Sequence, residues 1–219
     1  MTSFDHPITR VTSSDLPFLA EFIHSAKLLL SINRLLYQPW PNEPLQRKQY
    51  TGAVEGAFAD PSMECFKATH AESNEIIGYI VFAKKQASEG DKIAPQSQIP
   101  DAGHTAPEGM TPGILTEISG ANMEINKAVE HIDRFELVYM CVEPRYQRQG
   151  LGSRLLHLGF NRAKAEGLPV TVGAEAPAHG FFDKLGFRET THVDIDLREY
   201  APPHSGFGIF RLTGMVCKP

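Results

Sequence analysis

Apolar residues in this chain alternate between short strand-like runs and longer stretches at helical spacing. Ile8 to Thr12 predicts a short first strand. Ser13-Ser14-Asp15 offers a helix cap, with Pro17 in the first turn. Phe18, Leu19, Phe22, Ile23, Ala26, Leu29 and Leu30 then predict a helix to about Leu36, ending before Pro39-Trp40-Pro41. A second helix is expected from Leu45 to Ala59, closed by Asp60-Pro61. Met63 to His70 and Ile76 to Lys84 read as a hairpin around Glu72-Ser73-Asn74, with Gly78 marking a bulge or a close approach. The pattern then breaks. From Gln86 to Gly113, Pro95, Pro100, Pro107 and Pro112 sit among glycines and polar residues, with little apolar surface to bury. This segment reads as a flexible insertion within one domain spanning 1–219, either a lid or a tolerated loop. A helix from Leu115 to Ile132 follows, with Ile118, Ala121, Ile125, Ala128 and Val129 on one side. A strand from Phe135 to Val142 is next, then a helix carrying Leu151, Leu155 and Leu158. The chain closes with a strand (Val170 to Ala174), a short helix ending at Gly186, and two antiparallel strands (Phe187 to Leu197, Phe207 to Val216). The order of elements predicts an α/β fold with a mixed sheet.

The stretch from Tyr139 to Gly152, YMCVEPRYQRQGLG, joins an apolar strand to an amphipathic helix through a glycine-bearing turn. Free N–H groups and the helix dipole make such a helix start an anion site, and glycines let a phosphate approach the backbone. Arg145, Arg148 and Arg154 add positive charge around it. The turn lacks the Gly-Lys-Ser/Thr of a Walker loop, and its glycines are spaced wrongly for the dinucleotide fingerprint.

The run Val142-x-Pro144-x-x-Gln147-x-x-Gly150-x-Gly152 resembles the coenzyme A motif of the GCN5-related N-acetyltransferase (GNAT) superfamily. Phe182-Asp183-Lys184-Leu185-Gly186-Phe187 resembles its second signature, usually Tyr-x-x-x-Gly-Phe, at the usual spacing. The close resemblance covers Phe135 to Phe187. It implies a GNAT-like, mostly antiparallel central sheet flanked by helices, with two central strands splayed apart to admit the pantetheine arm. It also implies acetyl-CoA as cosubstrate and a primary amine as acceptor, of a small molecule before a peptide or protein. The backbone of Gln147, Arg148, Gln149, Gly150, Leu151 and Gly152 is then expected to hold the pyrophosphate, with Arg145 reaching the adenosine phosphate. Main-chain groups of Met140, Cys141 and Val142 are expected to pair with the pantetheine amides, and Phe182 and Lys184 to lie along the cofactor.

Acetyl transfer needs a neutral amine, so a base must take a proton. Glu136 is the candidate, because relatives that acetylate histones carry a glutamate six residues before the residue matching Val142. Simple alternation puts Glu136 on the face of Val138 and Met140, and a bulge would reverse that. A salt-bridged structural glutamate is the plain alternative; Glu175, the histidines or an ordered water would then have to serve as base. The family's tyrosine, which protonates the leaving thiolate, is replaced here by Phe182, leaving Tyr139 as the nearest hydroxyl. That departure keeps a second reading open: a non-catalytic acyl-CoA binding or regulatory domain.

Composition narrows the field. Hydrophobic residues make up 42% and charged residues 21% of the chain, ordinary values for a globular protein. A net charge of -5 argues against a nucleic-acid partner. Cys65, Cys141 and Cys217 are too scattered for a metal pattern, and Cys141 reads as packing rather than as a nucleophile. His179, His192 and His204 read as surface or loop positions, with no metal-ligand spacing. Asp194, Asp196 and Glu199 read as a solvated face or as an attractor for a cationic substrate, and Trp40 as a loop anchor or a pocket wall. With no apolar signal core and no membrane-length stretch, a cytoplasmic protein is expected, a nuclear one not being excluded. A homodimer is compatible with all of this.

Overall fold

The strand Ile76–Lys85, IIGYIVFAKK, is buried along nearly its whole length, so it must have helices on both faces. The computed structural model describes residues 6–88 and 106–218. Among them seven strands form one sheet: β1 (Ile8–Arg10), β2 (Met63–Thr69), β3 (Ile76–Lys85), β4 (Arg134–Val142), β5 (Val170–Glu175), β6 (Arg188–Asp196) and β7 (Ile209–Cys217). Their spatial order is β1-β2-β3-β4-β5-β7-β6. Every pairing is antiparallel except β4 with β5. The expected mixed, mostly antiparallel α/β sheet is therefore what forms.

One face carries α1 (Leu16–Lys27), α2 (Ser31–Leu36), α3 (Glu43–Ala59) and α4 (Pro112–Lys127). Leu19, Ile23 and Val54 pack there on Tyr79 and Val81. Ile114, Leu115 and Ala121 pack on Ile195 and Leu197. The other face carries α5 (Leu151–Glu166) and α6 (Ala176–Lys184). Leu151, Leu155 and Leu156 meet Ile80, Phe82 and Leu137 in the largest core cluster. Burial of each such leucine contributes about 1.5–3 kcal/mol. Gly78 permits a close approach: a Cβ there would lie 2.9 Å from Leu155 Cδ1 and 3.3 Å from Ala68 Cβ.

Three boundaries differ from the sequence expectation by more than two residues. The long first helix is two helices, because the Asn33 side-chain amide donates to Lys27 O at 2.8 Å and caps α1. The helix expected from Leu115 to Ile132, α4, starts at Pro112, where proline suits a first turn, and stops at Lys127. The buried Arg134 guanidinium donates to Val129 O (3.1 Å) and Ile132 O (3.3 Å), satisfying carbonyls of the turn that replaces the last helical residues. Of the segment 86–113, residues 89–105 lie outside the described residues, and both ends are tied down. Ala87 N donates to Asp133 Oδ1 at 2.7 Å and Ser88 N to Glu130 O at 2.8 Å. Thr111 bonds Leu36 O through its N–H (2.8 Å) and Leu35 O through its hydroxyl (2.6 Å). Ala106 and Met110 pack against the core cluster around Ile114.

Candidate active site

Strands β4 and β5 pair over three positions only, Phe135 with Val170, Glu136 with Thr171 and Leu137 with Val172. Beyond Leu137, β4 stays paired to β3 as far as Val142, and β5 stays paired to β7 as far as Glu175. The sheet therefore opens into a gap at its middle. Glu143 N donates to Ile77 O at 3.0 Å. Antiparallel alternation from that pair turns the main chain of Cys141 toward β3 and that of Met140 and Val142 toward the gap. Of the three main-chain contributors expected here, Cys141 is thus the one not directed at the gap.

The gap ends at the turn before α5. Gln147 Nε2 donates to Val142 O at 2.9 Å and Gln149 Nε2 to Arg145 O at 2.7 Å, holding the turn's shape. Arg148 (φ 58°) and Gly150 (φ 85°) are both left-handed, and Gly150 caps α5 with no side-chain hydrogen bond to the helix start. Nothing lies within 4 Å of a Cβ built on Gly150. The amides of Leu151 and Gly152 thus begin a 16-residue helix beside open space. A Cβ on Gly152 would meet Met140 Cε at 3.1 Å and Phe181 Cζ at 3.4 Å. Phe181, which the sequence did not single out, is therefore the aromatic residue near the helix start. Phe182 is buried edge-on against Phe187 (5.3 Å between centroids) inside the core. Lys184 is exposed on the last turn of α6, and Arg145 is paired with Glu143 at 3.0 Å.

A bulge in β4 decides what faces the other way. Val81 opposes Tyr139 and Phe82 opposes Leu137, so Val138 is an extra residue. Glu136 consequently shares the α1–α4 face with Tyr139 and Cys141, not with Val138 and Met140 as simple alternation implies. It lines a small cleft with Asn126, Thr171, Thr190 and Gly214. Its side chain is 19% exposed, with Arg134 Nη2 4.0 Å away. Glu136 Oε2 and Thr171 Oγ1, on paired residues, are both buried without a hydrogen-bond partner among the described residues. Burial pulls the Arg134 guanidinium below its ordinary pKa, with Glu136 and Glu130 opposing.

Higher on the same face, the Lys27 ammonium lies 2.7 Å from Glu175 Oε1 and 5.5 Å from the centroid of the Tyr139 ring. Lys27 ends α1 and Glu175 ends β5, so the pair reaches across the mouth of the gap. Nearby, Asn33 Nδ2 stands 3.4 Å from Tyr50 Oη. Burial pushes the Tyr139 and Tyr50 hydroxyls above their ordinary range. Burial likewise raises the Cys141 thiol to about 12, against the pull of Lys27, so it is protonated at neutral pH and is no nucleophile. Sequence spacing offered no signal for Lys27, which meets Glu175 across 148 positions.

The remaining candidates lie elsewhere. Trp40 packs partly buried on the cluster around Ile114. His179 and His192 both pair with Glu189 on β6, at 3.8 and 2.7 Å. Asp194 is taken by Arg211 and Asp196 by Arg198. Among the described residues no His, Cys, Asp or Glu cluster suits a metal, and no helix is long and apolar enough to cross a membrane.

Known proteins share this fold. The family model described as Acetyltransferase (GNAT) domain matches residues 117–189, from within α4 through β4, the turn, α5, β5 and α6 to the start of β6. An uncharacterized N-acetyltransferase of Bacillus pumilus is 38% identical over 64 residues, 29% of this chain and 37% of that protein. The match thus spans little more than a third of the relative. The fold resembles that of arylalkylamine N-acetyltransferase 2 from Aedes aegypti, at 15% identity and a TM-score of 0.66 over 98% of this chain and 99% of that one. It also resembles an aminoglycoside 6'-N-acetyltransferase crystallised with coenzyme A, at 13% identity and a TM-score of 0.52 over 96% of each chain. The strand β4, the turn and helix α5 thus lie within the segment that matches the GNAT acetyltransferase domain, and the fold of nearly the whole chain resembles those of solved N-acetyltransferases.

Proposed function

We propose that the protein is an acetyl-coenzyme A dependent N-acetyltransferase acting on a primary amine of a small molecule. One observation carries the reading: β4 leaves β5 at Leu137, and its open main-chain edge leads to the uncapped start of α5. The pyrophosphate would meet the amides at Gln147 to Gly152, reinforced by the helix dipole. The pantetheine amides would pair with Met140 and Val142 as an added strand does, which puts the thioester near Tyr139. The acceptor would come from the α1–α4 face, where a carboxylate and an aromatic ring already hold an ammonium, that of Lys27.

In this reading Glu136 accepts the amine proton, through a water held between its free oxygen and Thr171 Oγ1. The amine nitrogen attacks the acetyl carbonyl, the C–S bond breaks, and coenzyme A leaves as thiolate. Buried Phe182 offers no proton, and a thiol of pKa about 8.5 leaves without one. The same phenylalanine supports a second reading, a domain that binds acyl-coenzyme A without turnover. Calorimetry with acetyl-CoA on wild type and Gly150→Asp tests the site, since the aspartate adds bulk and negative charge where the pyrophosphate would lie. Equal affinity in the two proteins would remove it. Free-thiol release across a panel of amines separates enzyme from binder.

A further inference from the structure

We infer that Lys27 is an intramolecular acetylation site, modified by the protein's own bound acetyl-CoA; this rests on the proposed acetyl transfer. The acyl end of the cofactor must lie where β4 and β5 part. The phosphate turn is at the far end of β4 and pairing closes the gap at Leu137, so the arm ends at the level of Val138 and Tyr139. Lys27 Nζ sits over the Tyr139 ring at 5.5 Å. It is held from the facing strand by Glu175 Oε1 at 2.7 Å. Its side chain is 25% exposed and that of Glu175 30%, so the pair is shielded but not sealed. A primary amine, a carboxylate able to take its proton and the expected position of the thioester therefore converge at one place, and the amine belongs to the chain itself.

The step balances without a further reagent. The Lys27 ammonium gives one proton to Glu175, and Nζ attacks the acetyl carbonyl carbon. The N–C bond forms, the C–S bond breaks, and coenzyme A departs as thiolate. The second nitrogen proton passes to that thiolate, and Glu175 returns its proton to solvent. The product is a neutral amide. It no longer pairs with Glu175 or attracts the Tyr139 face, so both become available to the ammonium of an external acceptor.

The test is incubation of the full chain with acetyl-CoA and no acceptor, followed by peptide mass spectrometry over time. Exposed Lys48 on α3 serves as the internal control for chemical acetylation. The expected result is one acetyl group on Lys27, ahead of Lys48, at a first-order rate independent of protein concentration. Lys27→Arg abolishes it, and Glu175→Gln slows it roughly 10²-fold or more. Equal labelling of Lys27 and Lys48, or a rate proportional to protein concentration, overturns the inference. If acetyl-CoA binds and an added amine releases thiol while Lys27 stays unmodified, self-acetylation fails and the proposed function stands. If calorimetry detects no acetyl-CoA binding, both fail.

Discussion

At Gly159 the helix α5 lies against the ring of Phe82, and a Cβ there would stand 2.2 and 2.3 Å from two ring carbons. Alanine usually stabilises a helix interior over glycine by about 1 kcal/mol. Here the ring is 2% exposed and enclosed by the core, so it cannot step aside without moving its neighbours. Overpacking of that kind costs about 1–3 kcal/mol and outweighs the helical gain. Gly159→Ala is therefore expected to lower the denaturation midpoint in urea at unchanged m value; a raised midpoint would show that Phe82 repacks freely. Val138 matters differently. A single extra residue in β4 transfers Glu136 to the face of Tyr139 and Cys141. No count of apolar positions reveals that, because alternation reads identically on either side of an extra residue. Glu136→Gln keeps the shape and removes the proposed base. Its kcat should fall roughly 10²–10⁴-fold with acetyl-CoA affinity little changed, and the residual rate should climb with pH as free amine accumulates. Near-wild-type kcat would make Glu136 structural and move the search for the base to Glu175.

At the scale of elements, periodic stretches were legible and side-chain stops were not. The helix α5 announces itself through Leu151 and Leu155, both buried, after a glycine turn. The break after Lys27 was hidden, because Leu28, Leu29 and Leu30 continue an apolar run while the stop comes from Asn33, six residues on from the carbonyl it caps. Composition alone marks the proline-rich segment as an insertion, and its residues 89–105 lie outside the described residues. The anchoring of 106–113 was not legible, since Met110 bridges Tyr37 and Thr111 bonds both Leu35 and Leu36. Those contacts separate two replacements. Replacing 89–105 with a short Gly-Ser linker should leave the melting temperature within a few degrees. Replacing all of 86–113 should lower it clearly, since each lost hydrogen bond costs about 1 kcal/mol and the apolar packing of Met110 is lost as well. Equal melting temperatures would mean that the Tyr37 to Met110 contact contributes nothing.

Across the whole molecule, the sheet face under α1 and α3 brings buried ionisable groups together, and their environment sets a pH limit. Burial raises the Cys141 thiol to about 12 and lifts the hydroxyls of Tyr139, Tyr50 and Tyr79 above their ordinary values. Burial also raises Cys65, with Tyr79 opposing. In the unfolded chain thiols ionise near pH 8.5 and phenols near about 10. Between those values and the raised folded ones, the folded state binds more protons than the unfolded state. Stability must therefore fall as pH rises through that window. The contribution is fully present below about pH 8.5, and that of Cys141 is lost by about pH 12. Each such group steepens the loss by at most about 1.4 kcal/mol per pH unit. Thermal melts should accordingly be flat in this respect up to about pH 8 and descend beyond pH 9. In Cys141→Ala the starting stability is lower, yet the drop from about pH 8 to about pH 10.5 should be smaller than in wild type, because one linked proton has been removed. An identical drop in both proteins would mean that Cys141 ionises as freely in the folded state as in the unfolded chain, and that the sheet opening around it is wetter than its burial implies.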